Sequence, residues 1–409
     1  MRSLMWLAWK LLWSKTQKSL QFSGALALFG LILGVACLVV SMAVLSGFET
    51  TLRDAVADVT GHIQIVKTLN SEQEKKDLVA EIRRIEDSLV EASAFSYIEG
   101  VLAHQGKIKG VALQGVETPQ VHQVLGVDQR LLEGKIDFSE KEGDPQVLIG
   151  KGIAQNFGLK VGDRFRIVVP VYQGIDPSTF SRKIGYFRVA GILDLGKFDY
   201  NERFVISALS ATQALANIGD RSMGLLLKFK QIEKAPEYSQ KLKVSLGPAY
   251  KIRDWFDMNE TLFRAVKIER ATIFFVVLVI VLVAAFLVSI QLYIHVVKRF
   301  ATISLLKSLG LKKIQVIQIF SYQGLIMGVV GVIGGFFLGL LFCYGFELLQ
   351  ATLAVLPGSV YKLDRIDLNV RFIDVLQIAV ATLIVCFGAT LAPAVRGAHL
   401  NIVEGLKNE

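Results

Sequence analysis

The segment KRFATISLLKSLGLKKIQVIQI, residues 298–319, joins two long uncharged stretches of this 409-residue chain. Ile303, Leu306 and Leu309 form an apolar stripe in it, with Leu305 beside the stripe, and Gly310 offers a helix stop. Five cations surround the stripe: Lys298, Arg299, Lys307, Lys312 and Lys313. The pattern predicts a short amphipathic helix in a tight loop, residues 295–313, with its apolar side available to a groove on a partner protein.

The uncharged stretches on either side of this loop are long enough to cross a bilayer, which takes ~20 residues. Two more such stretches occur in the chain, and none of the four contains Asp, Glu, Lys or Arg: residues 22–45, 271–294, 314–346 and 375–395. The first stretch is too long and too far from the N-terminus for a cleaved signal peptide. With 52% hydrophobic and 20% charged residues, the composition also indicates a membrane protein that carries a sizeable soluble part. We therefore expect four permanent spans.

The short flanks of these spans set the orientation, because Lys and Arg in short flanks stay in the cytoplasm. With four spans, the cations before the first span, in the 295–313 loop and in the tail at 396–409 all fall on one side. Residues 46–270 and the loop at 347–374 then lie outside. Residues 1–21 mix Trp6, Trp9 and Trp13 with lysines, which predicts an interfacial helix on the cytoplasmic surface. A flank that only enforces topology is the alternative.

The external segment at residues 46–270 shows different sequence patterns along its length. It begins with a stalk that continues the first span, and it ends with a second stalk, residues 254–270, predicted to run straight into the second span. Between the stalks, alternating strand patterns and short helices are separated by Gly and Pro breaks. The predicted fold class is therefore an α+β membrane protein with four transmembrane helices and a large extracytoplasmic α+β domain inserted between helices 1 and 2.

One loop of this domain stands out. Residues 171–185, VYQGIDPSTFSRKIG, separate two predicted strands at 164–169 and 186–191, so they form a long hairpin tip that contains Tyr172, Pro177 and Phe180. Long ordered loops in compact domains are often functional, and aromatic residues on a projecting tip suit a protein contact. An ordinary mobile loop is the alternative.

Glycines recur at helical spacing in two of the spans. Gly30 and Gly34 form a small-xxx-small pair in the first span, and Gly331, Gly335 and Gly339 form a continuous row on one face of the third. Such rows let helices approach closely in lipid. The spacing predicts close packing, either within one protomer or across a dimer.

The sequence lacks motifs for phosphate binding, for a serine nucleophile and for metal binding. Around Gly150-Lys151, Pro145 occupies the place of the first glycine of a phosphate loop, and no G-x-S-x-G occurs. The five histidines show no metal-ligand spacing, and the three cysteines lie in predicted spans, so the external domain has no disulfide framework. We expect a non-catalytic chain that binds no cofactor, metal or nucleic acid.

Four segments resemble, in order and spacing and over essentially the whole chain, the FtsX/MacB-type permeases of ATP-binding cassette (ABC) systems. Within that superfamily they are most similar to the LolC/LolE group, which releases lipoproteins from the bacterial inner membrane. The segments are residues 61–65 (GHIQI), 147–170 (VLIGKGIAQNFGLKVGDRFRIVVP), 303–320 (ISLLKSLGLKKIQVIQIF) and 393–406 (PAVRGAHLNIVEGL). Together they are specific, although each alone would be weak.

The resemblance implies a set of partners and residue roles. A separate LolD-like ATPase subunit would bind ATP and Mg, with Ile303, Leu305, Leu306 and Leu309 as the helix that docks into it. A second permease subunit, identical or different, would complete a dimer in the lipids of the inner membrane. Pro177 stands where the family's hook has its proline, so the tip, with Phe180 and Tyr172, would hold a LolA-like periplasmic carrier. The family usually has a glutamate where this chain has Thr302.

The function expected from this resemblance is that of a permease subunit. It would extract lipoproteins from the inner membrane with ATP-driven force from its partner and pass them to the carrier. Two alternatives stay open at this point. An FtsX-like regulator would activate a cell-wall hydrolase and would need no cavity for acyl chains, and a MacB-like exporter normally carries its ATPase on the same chain.

Overall fold

The structure, a computed structural model, describes residue 6 and residues 18–172, 180–353 and 368–399. Most of the interfacial helix expected at residues 1–21 lies outside this part of the chain. The described residues divide into two compact units. A helical unit holds those up to Phe48, those from Ala265 to Leu353 and those from residue 368 onward, and an α/β unit holds Glu49–Arg264.

The helices follow one another in this order: α1 (Lys18–Thr60), α2 (Glu72–Ile85), α3 (Val121–Val124), α4 (Val127–Arg130), α5 (Lys151–Phe157), α6 (Phe198–Arg203), α7 (Leu209–Ala216), α8 (Ala235–Leu246), α9 (Trp255–Met258), α10 (Glu260–Lys298), α11 (Phe300–Ser308), α12 (Lys313–Leu353) and α13 (Phe372–Ala398). The strands are β1 (Ile63–Leu69), β2 (Leu89–His104), β3 (Lys107–Val116), β4 (Leu131–Gly134), β5 (Glu140–Lys141), β6 (Asp144–Gly150), β7 (Arg164–Tyr172), β8 (Phe180–Leu193), β9 (Phe204–Ala208), β10 (Ser222–Phe229) and β11 (Lys251–Asp254).

Four helices of the described chain, α1, α10, α12 and α13, are long and apolar enough to cross a membrane. They share a core to which α1 contributes Leu31, Val35 and Leu38, α10 contributes Val281, and α13 contributes Cys386. Large apolar side chains stay exposed on their outer faces, with Phe275 on α10 and Phe337 on α12 as examples. Exposed apolar faces of this size suit helices whose surroundings are lipid chains.

The strands form one mixed sheet, part of which closes on itself. Starting from β2, each strand pairs with the next in the order β2, β3, β9, β6, β8, β7, and β7 pairs back with β2. Large apolar side chains fill the ring, including Leu113, Val147, Ile167, Phe187 and Val205, and each is at most 2% exposed. Since alternate residues of a strand point to opposite faces, a ring of this size can bury one full set of side chains.

A second lobe is an antiparallel sheet in the order β11, β1, β10, β2. Helix α2 begins where the Ser71 side chain accepts a hydrogen bond from the Glu74 N–H, and it buries Leu78 and Ile82. Strand β2 is common to both lobes, because its first half pairs with β10 and its second half with β3. The two lobes are therefore joined by an uninterrupted strand.

His62, at the start of β1, is buried in this lobe. Burial and the nearby charge of Lys228 lower the pKa of His62 to about 4. The neutral ring accepts a hydrogen bond from the Phe229 N–H, with 3.2 Å between the nitrogens. His62 therefore has a structural role in the sheet.

The last turn of α1 is bonded to the ring lobe. Gln114 Nε2 donates to Val59 O at 2.8 Å, and the Gly126 N–H donates to Asp58 O at 3.0 Å, so carbonyls that the helix end leaves open are satisfied. Arg130 donates from Nε and Nη2 to Asp58 Oδ2, at 2.9 and 2.7 Å. These bonds fix the end of α1 to the lobe.

The second stalk differs from the prediction. Residues 254–270 were predicted to form one continuous stalk, but α9 ends at Met258 and α10 begins at Glu260. Asp254 caps α9 by accepting hydrogen bonds from the Phe256 and Asp257 N–H groups. The side chain of Trp255 packs edge to face on Phe263, with 5.0 Å between ring centroids. The stalk therefore has a break at Asn259.

Candidate functional site

The loop helix predicted from residues 298–319 is present as α11. It follows α10 after a single non-helical residue, Arg299, and it ends at Ser308. Gly310 has a φ of +102°, which favours glycine, so the predicted helix stop is confirmed. Helix α12 then starts three residues further on, at Lys313. The turn is therefore short and ordered by its own backbone hydrogen bonds.

The apolar stripe of α11 is not free along its whole length. Ile303 is only 6% exposed and packs in a cluster of α10, α12 and α13 residues, among them Val296, Phe320, Ala394 and Ala398. Leu306 is half-buried. The expectation that Ile303 is available to a partner is therefore corrected, because the small residues at the end of α13 leave room for it inside the chain.

The exposed apolar side chains of this turn are Leu305, at 53%, and Leu309, at 78%. Lys298, Lys312 and Lys313 are also exposed around them. Lys307 instead turns inward, and its Nζ donates to Ala398 O, 3.1 Å away, near the C-terminus of α13, where a cation is favoured. We name Leu305, Leu309 and the three exposed lysines the knob. Its chemistry suits an apolar groove with an acidic rim.

The hairpin is longer in its strands and shorter in its tip than predicted. Strands β7 and β8 pair continuously from Arg164 opposite Arg188 to Tyr172 opposite Phe180. Only the backbones of Tyr172 and Phe180 are described, and Pro177 lies in residues 173–179, outside the described chain. The tip is therefore carried on a paired two-stranded arm, and not on the fifteen-residue loop at 171–185 that the strand pattern predicted.

Charged side chains hold the base of this arm. Arg164 pairs with Asp144 at 2.7 Å, and its guanidinium lies 4.2 Å from the ring centroid of Tyr186. Arg188 pairs with Glu142 at 2.6 Å. Because Asp144 belongs to β6, these contacts tie the arm to the ring lobe.

The glycine rows predicted in the spans face other helices of the same chain. Gly331, Gly335 and Gly339 of α12 face Leu31, Val35 and Val39 of α1. Gly30 and Gly34 of α1 face Leu287 and Val281 of α10. A Cβ atom at Gly335 would lie 2.5 Å from the Val35 Cβ, which is closer than real side chains approach. The α12 row is thus needed for packing within one protomer.

A polar cluster that was not predicted from the sequence lies where three of the long helices meet. Asp374 Oδ2 accepts hydrogen bonds from Ser46 Oγ at 2.9 Å and from Arg270 Nη2 at 2.5 Å. Ser46 belongs to α1, Arg270 to α10 and Asp374 to α13. The available signal was the position of Arg270 and Asp374, since each directly precedes an uncharged stretch at the same predicted membrane face.

No group of three or more His, Cys, Asp or Glu side chains within the described ranges is arranged to hold a metal ion. The knob, the arm and the polar cluster are surfaces and joints made of leucines, lysines and ion pairs.

Comparison with known proteins matches both halves of the chain. Residues 25–244 match the MacB-like periplasmic core domain, and residues 274–402 match the FtsX-like permease C-terminal region. The chain is 26% identical to the lipoprotein-releasing system transmembrane protein LolC of Neisseria meningitidis serogroup B, over 99% of each chain. It is 28% identical to the LolC protein of Xylella fastidiosa, over 95% of each chain. It is 25% identical to the LolE protein of Haemophilus influenzae, over 93% of this chain and 92% of the relative.

These matches agree with the two units of the structure. The first match holds every strand of the sheet except β11, and the second holds α11, α12 and α13. Because the first match alone spans more than half of the 409 residues, this chain belongs to the family of proteins with a MacB-like periplasmic core domain, followed here by an FtsX-like permease region.

Proposed function

We propose that this chain is a permease subunit of an ATP-driven ABC complex that extracts lipoproteins from the bacterial inner membrane and passes them to a periplasmic carrier. The observation that carries the proposal is the similarity, over nearly the full length, to relatives named as LolC and LolE proteins of lipoprotein-releasing systems. The apolar helices and the exposed knob suit a subunit that moves in a membrane under the force of a partner.

The proposed topology puts the knob in the cytoplasm and the α/β unit in the periplasm. Spans at residues 22–45, 271–294, 314–346 and 375–395 would leave the periplasmic domain inserted between the first and second spans. The positive flanks support this orientation. Under it, the hairpin arm projects into the compartment in which a lipoprotein carrier would be met.

ATP and Mg would be bound by a separate ATPase subunit, and this chain would supply no cofactor site. Leu305 and Leu309 would enter a groove on that subunit, and the exposed lysines would meet its acidic rim. Ile303 would instead anchor α11 to the spans, so that a push on the knob reaches α10 and α12 directly. A second permease subunit, identical or different, would complete the complex.

Extraction of a lipoprotein from the bilayer would require a large amount of free energy. Lipid chains prefer hydrocarbon by ~0.8 kcal/mol per CH₂, so a multiply acylated protein is held in the bilayer by tens of kcal/mol. Release therefore needs both mechanical force from the ATPase and a carrier that shelters the chains. The arm would hold the carrier through Pro177, Phe180 and Tyr172 while the acyl chains move.

The knob provides the test. In the complex reconstituted with its ATPase, Leu305→Glu together with Leu309→Glu should reduce binding of the ATPase at least tenfold, because each carboxylate would be buried in an apolar groove. Release of a fluorescent lipoprotein to the carrier should fall in proportion. Co-purification and release are the two measurements.

Val244→Glu is the matched control, since Val244 is 76% exposed on α8 in the other unit. This substitution should leave both ATPase binding and lipoprotein release unchanged. If the doubly substituted knob still binds the ATPase and supports release at the normal rate, the docking role is wrong. If the unaltered complex shows no ATP-dependent release, the proposed function itself is wrong.

A further inference from the structure

Helix α1 is not adjacent to the knob along the chain. Helix α11 is joined along the chain only to α10 and α12, whereas α1 precedes the whole α/β unit. The last turn of α1 is nevertheless bonded to the ring lobe through Asp58, Val59 and their partners. Any movement that reaches the lobe through α1 must therefore first be passed to α1 by contacts between helices.

The contacts along the spans are mostly apolar. The glycine row of α12 lies on Leu31, Val35 and Val39, and Gly34 of α1 lies on Val281 of α10. Apolar packing is non-directional and fixes the distance between two helices better than their position along the axis. These contacts alone would let α1 slip relative to α10.

Ser46, Arg270 and Asp374 form a contact of a different kind. All three side chains meet: Arg270 Nη2 donates to Asp374 Oδ2 at 2.5 Å and to Ser46 Oγ at 3.0 Å, and Ser46 Oγ donates to Asp374 Oδ2 at 2.9 Å. Ser46 and Asp374 are buried, and Arg270 is about three-quarters buried. Charge-assisted hydrogen bonds are directional, so they define the axial register of the three helices.

This cluster lies at the edge of the predicted spans. Arg270 and Asp374 directly precede uncharged stretches, and Asp374 lies in the first turn of α13, where the helix dipole favours an anion. Charged groups at the edge of hydrocarbon are costly unless paired, and their presence there indicates a functional role. A neighbouring backbone bond, from the Asn369 N–H to Ala43 O at 3.2 Å, connects the chain before α13 to α1 at the same level.

We propose that Ser46, Arg270 and Asp374 are positioning residues that make α1 move with α10 and α13, so that force applied to the knob reaches the α/β unit through both of its stalks. We call the three residues the clasp. This inference rests on the proposed function. The clasp holds no substrate and contacts no nucleotide. Its effect is on the efficiency with which hydrolysis is converted into release.

Asp374→Asn tests the clasp in the full complex, reconstituted with its ATPase in liposomes that contain a fluorescent lipoprotein. Loss of the carboxylate charge should lower the number of lipoproteins released per ATP hydrolysed at least tenfold, while ATP hydrolysis per assembled complex stays within twofold of normal. Arg270→Lys, which keeps the charge but loses the planar fork, should give an intermediate ratio. Exchange of the two charges, Arg270→Asp with Asp374→Arg, should recover part of the normal number of lipoproteins released per ATP hydrolysed.

Lys241→Gln is the control, because it removes another ion pair, that of Lys241 on α8 with Glu86 at the end of α2, which belongs to the α/β unit and not to the clasp. It should leave the ratio unchanged. A normal ratio in assembled Asp374→Asn complexes would overturn the proposal. So would equal losses of hydrolysis, release and assembled complex, because these would mean that the clasp only stabilises the fold. Absence of release by the unaltered complex would refute the proposed function instead.

Discussion

Gly335 shows how one missing methyl group allows two long helices to pack. A Cβ at this position would lie 2.5 Å from the Val35 Cβ and 2.9 Å from Ile32 O, so α1 would have to move away. Gly345, ten residues later on the same helix, has no atom within 4 Å of the place a Cβ would take. The same residue type therefore has opposite consequences at two positions of α12.

Gly335→Ala should destabilise the chain by ~1–3 kcal/mol, the usual cost of overpacking. Gly345→Ala should be neutral or should stabilise it by ~0.5–1 kcal/mol, because alanine loses less backbone entropy in a helix. Chemical unfolding of the purified full-length protein in detergent, followed by tryptophan fluorescence, measures both. Equal effects of the two substitutions would contradict the assignment of the row to the α1 contact.

For single residues, the sequence predicts which positions matter for packing better than it predicts which residues they contact. Spacing alone identified Gly331, Gly335 and Gly339, yet a row of glycines does not show which helix will cover it. Ile303 was predicted on an exposed stripe for the same reason. Its burial depends on Ala394 and Ala398, about 90 residues away, and no local pattern contains that information.

Among the elements, the β7–β8 arm is the one that can be altered most cleanly. Its strands pair up to Tyr172 and Phe180, so removal of the residues between them leaves every described pair of the arm in place. Arg164 and Arg188 hold the base through Asp144 and Glu142. The arm and its tip are therefore separable.

Replacement of residues 173–179 by Asn-Gly, which favours a two-residue hairpin turn, should leave the free energy of unfolding within ~1 kcal/mol of normal. Capture of the carrier by the complex should be lost, while ATP hydrolysis continues. A pull-down with the purified carrier and an unfolding curve are the measurements. The tip is not the carrier site if capture survives the replacement.

The elements themselves were largely predictable, with errors at their ends. Strands β7 and β8 begin or continue where predicted, but they extend further into the hairpin than their patterns indicated. The break between α9 and α10 was missed because residues 254–270 were predicted to run straight into the second span. Asp254 acts there as a cap, and its hydrogen bonds to Phe256 and Asp257 override the periodicity.

For the whole molecule, orientation in the membrane is the property on which the proposed function depends. Lys312 of the knob and Val244 of the α/β unit are both exposed, so a cysteine at either position would be reachable by a reagent in its own compartment. The three native cysteines, Cys37, Cys343 and Cys386, can be replaced by alanine to give a clean background.

On that background, Val244→Cys should react with a membrane-impermeant maleimide in cells whose outer membrane has been opened. Lys312→Cys should react only after the inner membrane is permeabilised as well. Gel shift of the labelled protein measures both. Labelling of Lys312→Cys in intact spheroplasts would put the knob outside and end the proposed role.

The closed ring could not be derived from the sequence. The strands β7 and β8 were predicted, but closure depends on β7 returning to β2, a pairing of Val101 with Val168 that joins residues 67 positions apart. Membrane spans, by contrast, depend on uninterrupted apolar length, which a sequence shows directly. The helical unit was therefore more predictable than the sheet.

Ring closure has a consequence for the contacts that this domain can make with other chains. Strand positions that are paired on both sides offer no template on which another chain can add, and in the open part of the path the terminal strands β4 and β11 are only four residues long. In this disulfide-free domain, long open edges are therefore confined to the β7–β8 arm, where the two strands pair only with each other beyond the ring.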